Sequence, residues 1–229
     1  DFSTTSHTAS KTSASISPSD NIDEFDEYRT QTTSTSPKTQ TTTNTNIEIP
    51  TVSAFPDTTV ETLEGQAANV LQQRNIIQGY PDGEFKGSQS VNRAEIAKFI
   101  LLAKEITPLP TLRNNGLFTD VEDGQWYVPY VIQAKRQGIL SGYPDGSFRP
   151  AATVNTVEFL KIITKTFDLP EYLAHDYTDV SENDWFAPYA GVATQYNLFP
   201  ERSSDQLSPG RELTRKEVAI AIYKILQAQ

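Results

Sequence analysis

The chain repeats itself, and any fold it adopts has to be built from the repeated unit. Gly79-Tyr80-Pro81-Asp82-Gly83 recurs 63 residues later as Gly142-Tyr143-Pro144-Asp145-Gly146. The same spacing relates Phe55-Pro56-Asp57 to Phe118-Thr119-Asp120, and Val91-Asn92-Arg93-Ala94-Glu95 to Val154-Asn155-Thr156-Val157-Glu158. Three separate motifs at one ungapped spacing define two copies of a single unit. A third copy follows at a spacing of 59 residues. There Tyr177-Thr178-Asp179 repeats Phe118-Thr119-Asp120, Trp185 repeats Trp126, and Leu213-Thr214-Arg215-Lys216-Glu217 repeats the Val-Asn-x-x-Glu segments. The Gly-Tyr-Pro-Asp-Gly loop is lost in this copy, where Glu201 to Asp205 replaces it.

Each copy has the same internal plan. An Asp turn leads into a first helix, predicted at Val60 to Arg74, Trp126 to Gln137 and Trp185 to Tyr196. Tyr127, Tyr130, Val131 and Ala134 recur at helical intervals. Gly138 then fits a helix C-terminus. A Pro-Asp-Gly turn follows. A second helix is predicted at Arg93 to Lys104, Thr156 to Phe167 and Arg215 to Gln227, with Ile96, Phe99, Ile100 and Ala103 as the apolar stripe of its first copy. The fold class expected is therefore mainly all-α, three helix-loop-helix repeats at 51–113, 114–172 and 173–229.

Residues 1–50 read differently. Thr30 to Ser36 and Thr39 to Thr45 are almost wholly polar, and such a composition cannot bury enough apolar surface to offset chain entropy. A disordered Ser/Thr-rich spacer is expected there. The sequence contains no Met, so it reads as a fragment or a processed product. Its net charge of −10 argues against nucleic acid, whose phosphates demand clustered Lys and Arg. No apolar run reaches the roughly 18 residues of a membrane span, and no signal peptide is visible. With no Cys, thiolate metal sites and disulfides are out of reach. No catalytic triad, zinc spacing or phosphate loop occurs, and Asp120-Val121-Glu122-Asp123-Gly124 misses the alternation of a calcium loop. Catalysis, cofactors and metals are not expected.

Two kinds of residue remain as candidates for binding. The Glu of each Val/Leu-x-x-x-Glu segment has a structural role at hand, since Asn92 with Glu95, Asn155 with Glu158 and Thr214 with Glu217 have the spacing of a capping box. The Arg after the cap does not. Arg93 and Arg215 fall in the first turn of a helix, where the macrodipole disfavours a cation. Such an Arg is either solvent-exposed or part of an anion site, in which guanidinium and helix N-terminal N–H groups together hold a carboxylate. The middle copy has Thr156 there. Trp126 and Trp185 are the two Trp residues of the chain, and they either pack in the core or stack on a sugar ring. The first copy has Leu63 at that position.

Phe118-Thr119-Asp120-Val121, Trp126, the run from Gly142-Tyr143-Pro144-Asp145-Gly146 to Ser147-Phe148-Arg149-Pro150, Asn92-Arg93-Ala94-Glu95 and Thr214-Arg215-Lys216-Glu217 together resemble the S-layer homology family. The resemblance covers about residues 50–229. It implies three intertwined repeats with pseudo-threefold symmetry, ligand grooves between neighbours, and an extracellular place at the cell wall or S-layer. It implies as partner a wall polysaccharide carrying pyruvylated or other anionic sugars, with no nucleic acid, no membrane insertion and a monomeric fragment. An interaction module that assembles with proteins of the cell envelope is the alternative. The residues it points to for ligand contact are Arg93, Arg215, Trp126 and Trp185, with Asp120, Asp179, Gly142 and Tyr143 of the motif.

Leu63, Thr156 and the degenerate loop make equal use of three grooves doubtful. If a groove joins the Arg of one copy to the Trp of the next, Arg93 with Trp126 is the sole complete set. Pairing within a copy leaves Arg215 with Trp185 instead. Either scheme expects one strong site per chain, and the first expects Arg93→Ala to weaken binding with little change in melting. Independently of that pairing, deletion of residues 1–50 should leave thermal unfolding of the remainder nearly unchanged, because a polar spacer contributes little burial. Calorimetric melting of the two forms checks this, and a large drop would mean that the segment packs on the core.

Overall fold

The computed structural model describes residues 51–229, so the spacer predicted at 1–50 lies outside the described residues. Six α-helices occur among them, two per copy: α1 (Leu63–Gln73), α2 (Arg93–Ala103), α3 (Val128–Arg136), α4 (Thr156–Thr166), α5 (Ala187–Gln195) and α6 (Arg215–Gln227). The second helix of each copy begins where the sequence places it. Asn92 and Asn155 each accept a hydrogen bond from the N–H of the Glu three residues on, and the carboxylate of that Glu accepts one in turn from the cap N–H. The first helices start two or three residues later than predicted. Trp126 and Trp185 lie on the turn before the helix, which opens at Val128-Pro129 and Ala187-Pro188, with Pro in the first turn where its missing N–H costs nothing.

The helices of one copy pack chiefly on those of its neighbours. α2 packs on α3, α4 on α5, and α6 closes the circle on α1. Each packing unit therefore joins the second helix of one copy to the first helix of the next, and the three copies are interlocked around a pseudo-threefold axis. Three short backbone segments meet in the middle. Val91 N–H donates to Leu213 O at 3.0 Å, Leu213 N–H to Val154 O at 3.0 Å, and Val154 N–H to Val91 O at 3.2 Å, which closes a ring of three hydrogen bonds. All three side chains are fully buried. Isolated antiparallel bridges, such as Asn92 with Thr153 and Asn155 with Glu212, flank this ring.

The same interlock uses up the helix N-termini. The first two N–H groups of α2, at Arg93 and Ala94, donate to Ala152 O and Pro150 O of the next copy at 2.9 and 3.0 Å. Thr156 and Val157 of α4 donate likewise to Arg211 O and Pro209 O, and Arg215 and Lys216 of α6 to Gln89 O and Gly87 O. These orphan donors would otherwise need water or a ligand.

The Asp of each copy's opening turn closes its own loop. Asp57 accepts from Phe85 N–H and Lys86 N–H at 2.8 Å each, and Asp120 from Phe148 N–H and Arg149 N–H at 2.7 Å each. Asp179 holds Leu207 N–H and Ser208 N–H in the same way, at 2.9 and 2.7 Å. Lys86, Arg149 and Ser208 all adopt positive φ, at 56°, 57° and 55°, a conformation that costs a non-Gly residue and is stabilised here by the carboxylate. Removing Asp120 leaves two amides without their acceptor, so Asp120→Ala should cost about 1–3 kcal/mol. Chemical denaturation checks this, and Asp57→Ala should behave alike at its own loop. For Asp57, burial favours protonation, but the two backbone N–H groups outweigh it and hold the carboxyl below the ordinary aspartate range. Its contribution is therefore present at neutral pH and fades as acid takes the pH below the unfolded value near 3.8.

Candidate functional site

The interlock brings three copies together at one groove, and the repeat sets equivalent positions at the other two junctions. In this first groove, the loop Gly79-Tyr80-Pro81 of copy one faces Glu95, Lys98 and Phe99 of α2, Arg215 of copy three and Trp126 of copy two. These residues enclose a cavity of about 240 Å³. The turn that shapes the loop is tight: Gly83 N–H donates to Tyr80 O at 2.8 Å, and Gly83 sits at φ 84°, where a side chain would be strained. Gly142 has a packing reason in the second copy. A Cβ there would come within 2.6 Å of the Phe118 ring and of Ser147 O.

Arg215 is 4% exposed and Arg93 7% exposed. Neither is the solvent-facing residue that one reading of the sequence expected. Arg215 donates through Nη2 to Gln78 O at 2.6 Å and through Nη1 to Glu95 Oε1 at 3.3 Å. Its guanidinium carbon lies 5.0–5.3 Å from the ring centroids of Tyr80, Phe85 and Phe99. Arg93 is held at the matching place in the second groove. It donates to Phe148 O and Ser141 O at 2.9 Å each and lies over the Tyr143 and Phe148 rings. Burial pushes both arginines below their usual range, opposed by Tyr80 and Glu95 at Arg215 and by Tyr143 and Glu158 at Arg93. Both remain charged, because guanidinium does not lose its proton in proteins. These arginines bind the helix start of one copy to the loop of the next. The expected partnership of guanidinium with free helix N-terminal amides is not what the structure contains, since the neighbouring loop already engages the first two amides.

The pairing of Arg and Trp also differs from both schemes drawn from the sequence. Trp126 lines the groove of Arg215, which belongs to the copy that follows it in the chain, and not that of Arg93. Arg93 of α2 belongs with Tyr143 and with Glu158 of α4, and α4 also carries Lys161, whose ammonium lies 5.4 Å from the Trp185 ring centroid. The first groove therefore takes its guanidinium from copy three, its loop from copy one and its Trp from copy two, and the repeat places Arg93, Tyr143 and Trp185 at the matching positions. Arg215, Tyr80 and Trp126 line one groove, and Arg93, Tyr143 and Trp185 are their repeat equivalents. The grouping therefore differs from either pairing on which the expectation of a single strong site was based.

Trp126 and Trp185 are 52% and 45% exposed, so core packing does not explain them. Each is steadied by edge-on neighbours, Tyr127 and Phe186 at 5.6 Å, and presents indole surface to the groove. Asp120 and Asp179 reach the loops from below, with both oxygens of each engaged by backbone N–H groups.

Sequence reasoning passed over one cation. Lys98 stands one turn beyond the capping Glu95, half-buried, with its ammonium 5.9 Å from the Trp126 and Tyr130 ring centroids. Burial, then repulsion by Arg215, lower its proton affinity. No salt bridge joins it to a carboxylate among the described residues. The signal was in the repeat: Lys161 recurs at the same spacing, and copy three has Ile220. The groove thus offers two cations against the one carboxylate of Glu95, beside an exposed indole. That combination suits a ring-shaped, hydroxylated ligand bearing negative charge. Among the described residues no cluster of His, Asp and Glu could hold a metal, and no helix is long and apolar enough to cross a membrane.

The S-layer homology domain model matches residues 65–97, 117–155 and 176–219, one match per copy. The cellulosome-anchoring protein of Acetivibrio thermocellus is 30% identical over 52% of this chain and 27% of its own length. An S-layer protein of Bacillus thuringiensis subsp. finitimus is 23% identical over 75% of this chain and 21% of its own. An exoglucanase, XynX of Acetivibrio thermocellus, is 28% identical over 69% of this chain but only 15% of its own length. The chain thus spans well under a third of each of these relatives, and the type of domain shared is non-catalytic.

Because each buried Arg also carries structure, Arg215→Ala should lower stability, contrary to the unchanged melting expected of an exposed ligand contact. It leaves Glu95 without its cation and opens a gap among three aromatic rings. The loss should be on the order of 3 kcal/mol, the scale for breaking a buried pair from one side. Denaturant unfolding measures it. A loss below about 0.5 kcal/mol, the range of ordinary surface substitutions, would contradict the strut role.

Proposed function

This chain belongs to the S-layer homology domain family, whose members work at the cell wall or S-layer outside the cell, and we propose that it anchors a surface protein there by gripping a secondary wall polysaccharide. The single observation that carries this is the first groove, with Arg215 and Lys98 facing one carboxylate beside the exposed Trp126. A chain with a net charge of −10 concentrates positive charge in that groove. The ligand it fits is a sugar with an acidic substituent, such as a pyruvate ketal. Trp126 covers a ring face, Lys98 meets the carboxylate, and Arg215 with Tyr80 forms the floor. Lys161, Trp185, Arg93 and Tyr143 do the same in the second groove. Anchoring is non-covalent and requires no catalysis, cofactor or metal, and the name of the cellulosome-anchoring relative describes a task of this kind.

Two measurements test the reading. Wall sacculi should retain the chain when they carry the secondary polymer, and release it once that polymer, or its pyruvate, has been removed. Retention that ignores both treatments sinks the proposal. At residue level, Lys98→Gln removes a charge that no protein carboxylate requires. It should weaken the first groove by roughly tenfold to a hundredfold, the equivalent of a charged hydrogen bond at about 1.5–3 kcal/mol. Melting should be unaltered. Equal binding by the variant, read by calorimetry on the purified polymer, would remove Lys98 from the site.

A further inference from the structure

Four departures from the repeat fall at one junction. The third groove takes its first-turn residue from copy two, its loop from copy three and its Trp-equivalent from copy one. Those are Thr156 in place of Arg, Glu201 to Asp205 in place of Gly-Tyr-Pro-Asp-Gly, and Leu63 in place of Trp. Ile220 takes the position of Lys98 and Lys161. Scattered along the sequence, these four losses look unrelated. In the fold they meet between α1, α4 and α6, where α1 packs on α6.

The groove is nevertheless not short of a guanidinium. Arg202 stands at the position of Tyr80 and Tyr143 in the degenerate loop, and its side chain is buried. Its Nη1 donates to Leu207 O, the carbonyl that corresponds to the Phe148 O bound by Arg93. Nε donates to Glu217 Oε1 at 2.8 Å, as Arg215 does to Glu95. Nη1 also reaches Thr156 Oγ1 of copy two at 3.0 Å. The guanidinium carbon stacks 4.1 Å from the Phe199 ring centroid. In the other grooves an Arg reaches forward from the preceding copy over a Tyr. Here the Tyr position holds the Arg, and it reaches back to a Thr.

Glu217 completes the closure. Its Oε1 accepts from Arg202 and from Arg211, and its Oε2 from Thr214 N–H and Thr214 Oγ at 2.9 and 3.0 Å. Burial favours its protonation, but the Arg202 pair and the hydrogen bonds from Thr214 outweigh that and hold its carboxyl below the ordinary glutamate range. In the second groove, by contrast, Glu158 gives one oxygen to its cap and Arg93 bonds to backbone carbonyls, so carboxylate and guanidinium do not use each other up.

We propose that the third groove has been converted from a ligand site into an internal clasp, in which Arg202 and Glu217 bolt copy three to Thr156 of copy two, leaving the chain two polysaccharide grooves. The inference rests on the reading of the other grooves as sugar sites, but the clasp itself is a statement about the protein alone.

The test uses the full chain in two ways that fail separately. The first needs no ligand. Arg202→Gln, Glu217→Gln and the double variant form a thermodynamic cycle in urea. A working clasp makes the double variant less than additive, and Arg202→Gln lowers the melting midpoint by at least about 4 °C, the shift that one or two kcal/mol causes in a domain of this size. Additive effects with unchanged melting overturn the clasp. The second is calorimetry with a pyruvylated monosaccharide as probe. Two equivalents should bind to the natural chain and two to Arg202→Gln. Three equivalents, or loss of one on removing Arg202, would make Arg202 a ligand contact and overturn the proposal. Absence of any binding would count against the sugar reading of all the grooves, with the cycle still deciding the clasp.

Discussion

The rest of the molecule depends on the ring of backbone hydrogen bonds linking Val91, Leu213 and Val154. Each of the three residues gives its N–H to one neighbour and its carbonyl to the other. No copy can satisfy these groups alone, and a buried unpaired backbone group is costly. The ring therefore couples the copies as tightly as residues within a domain. It also fixes the register of everything radiating from it. One residue beyond each member lies the N-cap, and the next two amides reach the following loop. The arginine that opens α2 or α6 is thereby aimed under that loop. The position of the groove is a consequence of the ring.

This geometry explains why a cation is tolerated in a first helical turn. Macrodipole repulsion at that site is worth about 0.3–1 kcal/mol and weakens when the N–H groups are satisfied by other acceptors. Against it stand two charge-assisted hydrogen bonds to carbonyls and contact with two or three aromatic rings. The local objection read from the sequence was sound, but tertiary contacts outweigh it. The arginine forms part of the groove floor and adds positive potential there, and the lysine one turn along lines the same groove.

Helix identity, capping boxes and the threefold plan were all legible, because each rests on short-range spacing repeated at one interval. Start points of the first helices were not. Trp126 and Tyr127 continue the apolar spacing of α3 backwards into the turn, and periodicity cannot see where φ and ψ leave the helix. The grouping of residues into grooves was also hidden. Sequence offers pairing within a copy or with the next copy, whereas the interlock brings three copies to one groove. The Thr at 156 illustrates the limit. Read along the chain it marks a weakened second copy. Only the placement of Arg202 beside it, from a loop 46 residues away, shows where the charge went.

Arg202 also shows what a repeat protein can do with a redundant site. Three equivalent grooves give avidity to a polymer that presents many identical sugars, since each added contact raises effective concentration. Two suffice for that gain, and a third contributes less than the second. The ring, however, needs three spokes of comparable stiffness, and an empty groove with a lone buried Glu217 would be the weakest of them. With the guanidinium at position 202 and not at 156, the junction between copies two and three keeps a buried cation. Because Arg202 and Glu217 both belong to copy three, their ion pair no longer depends on the angle between copies, and Thr156 supplies the link to copy two through a neutral hydroxyl. The copy-three loop is thus closed from within its own copy, and the link to copy two needs no second charge.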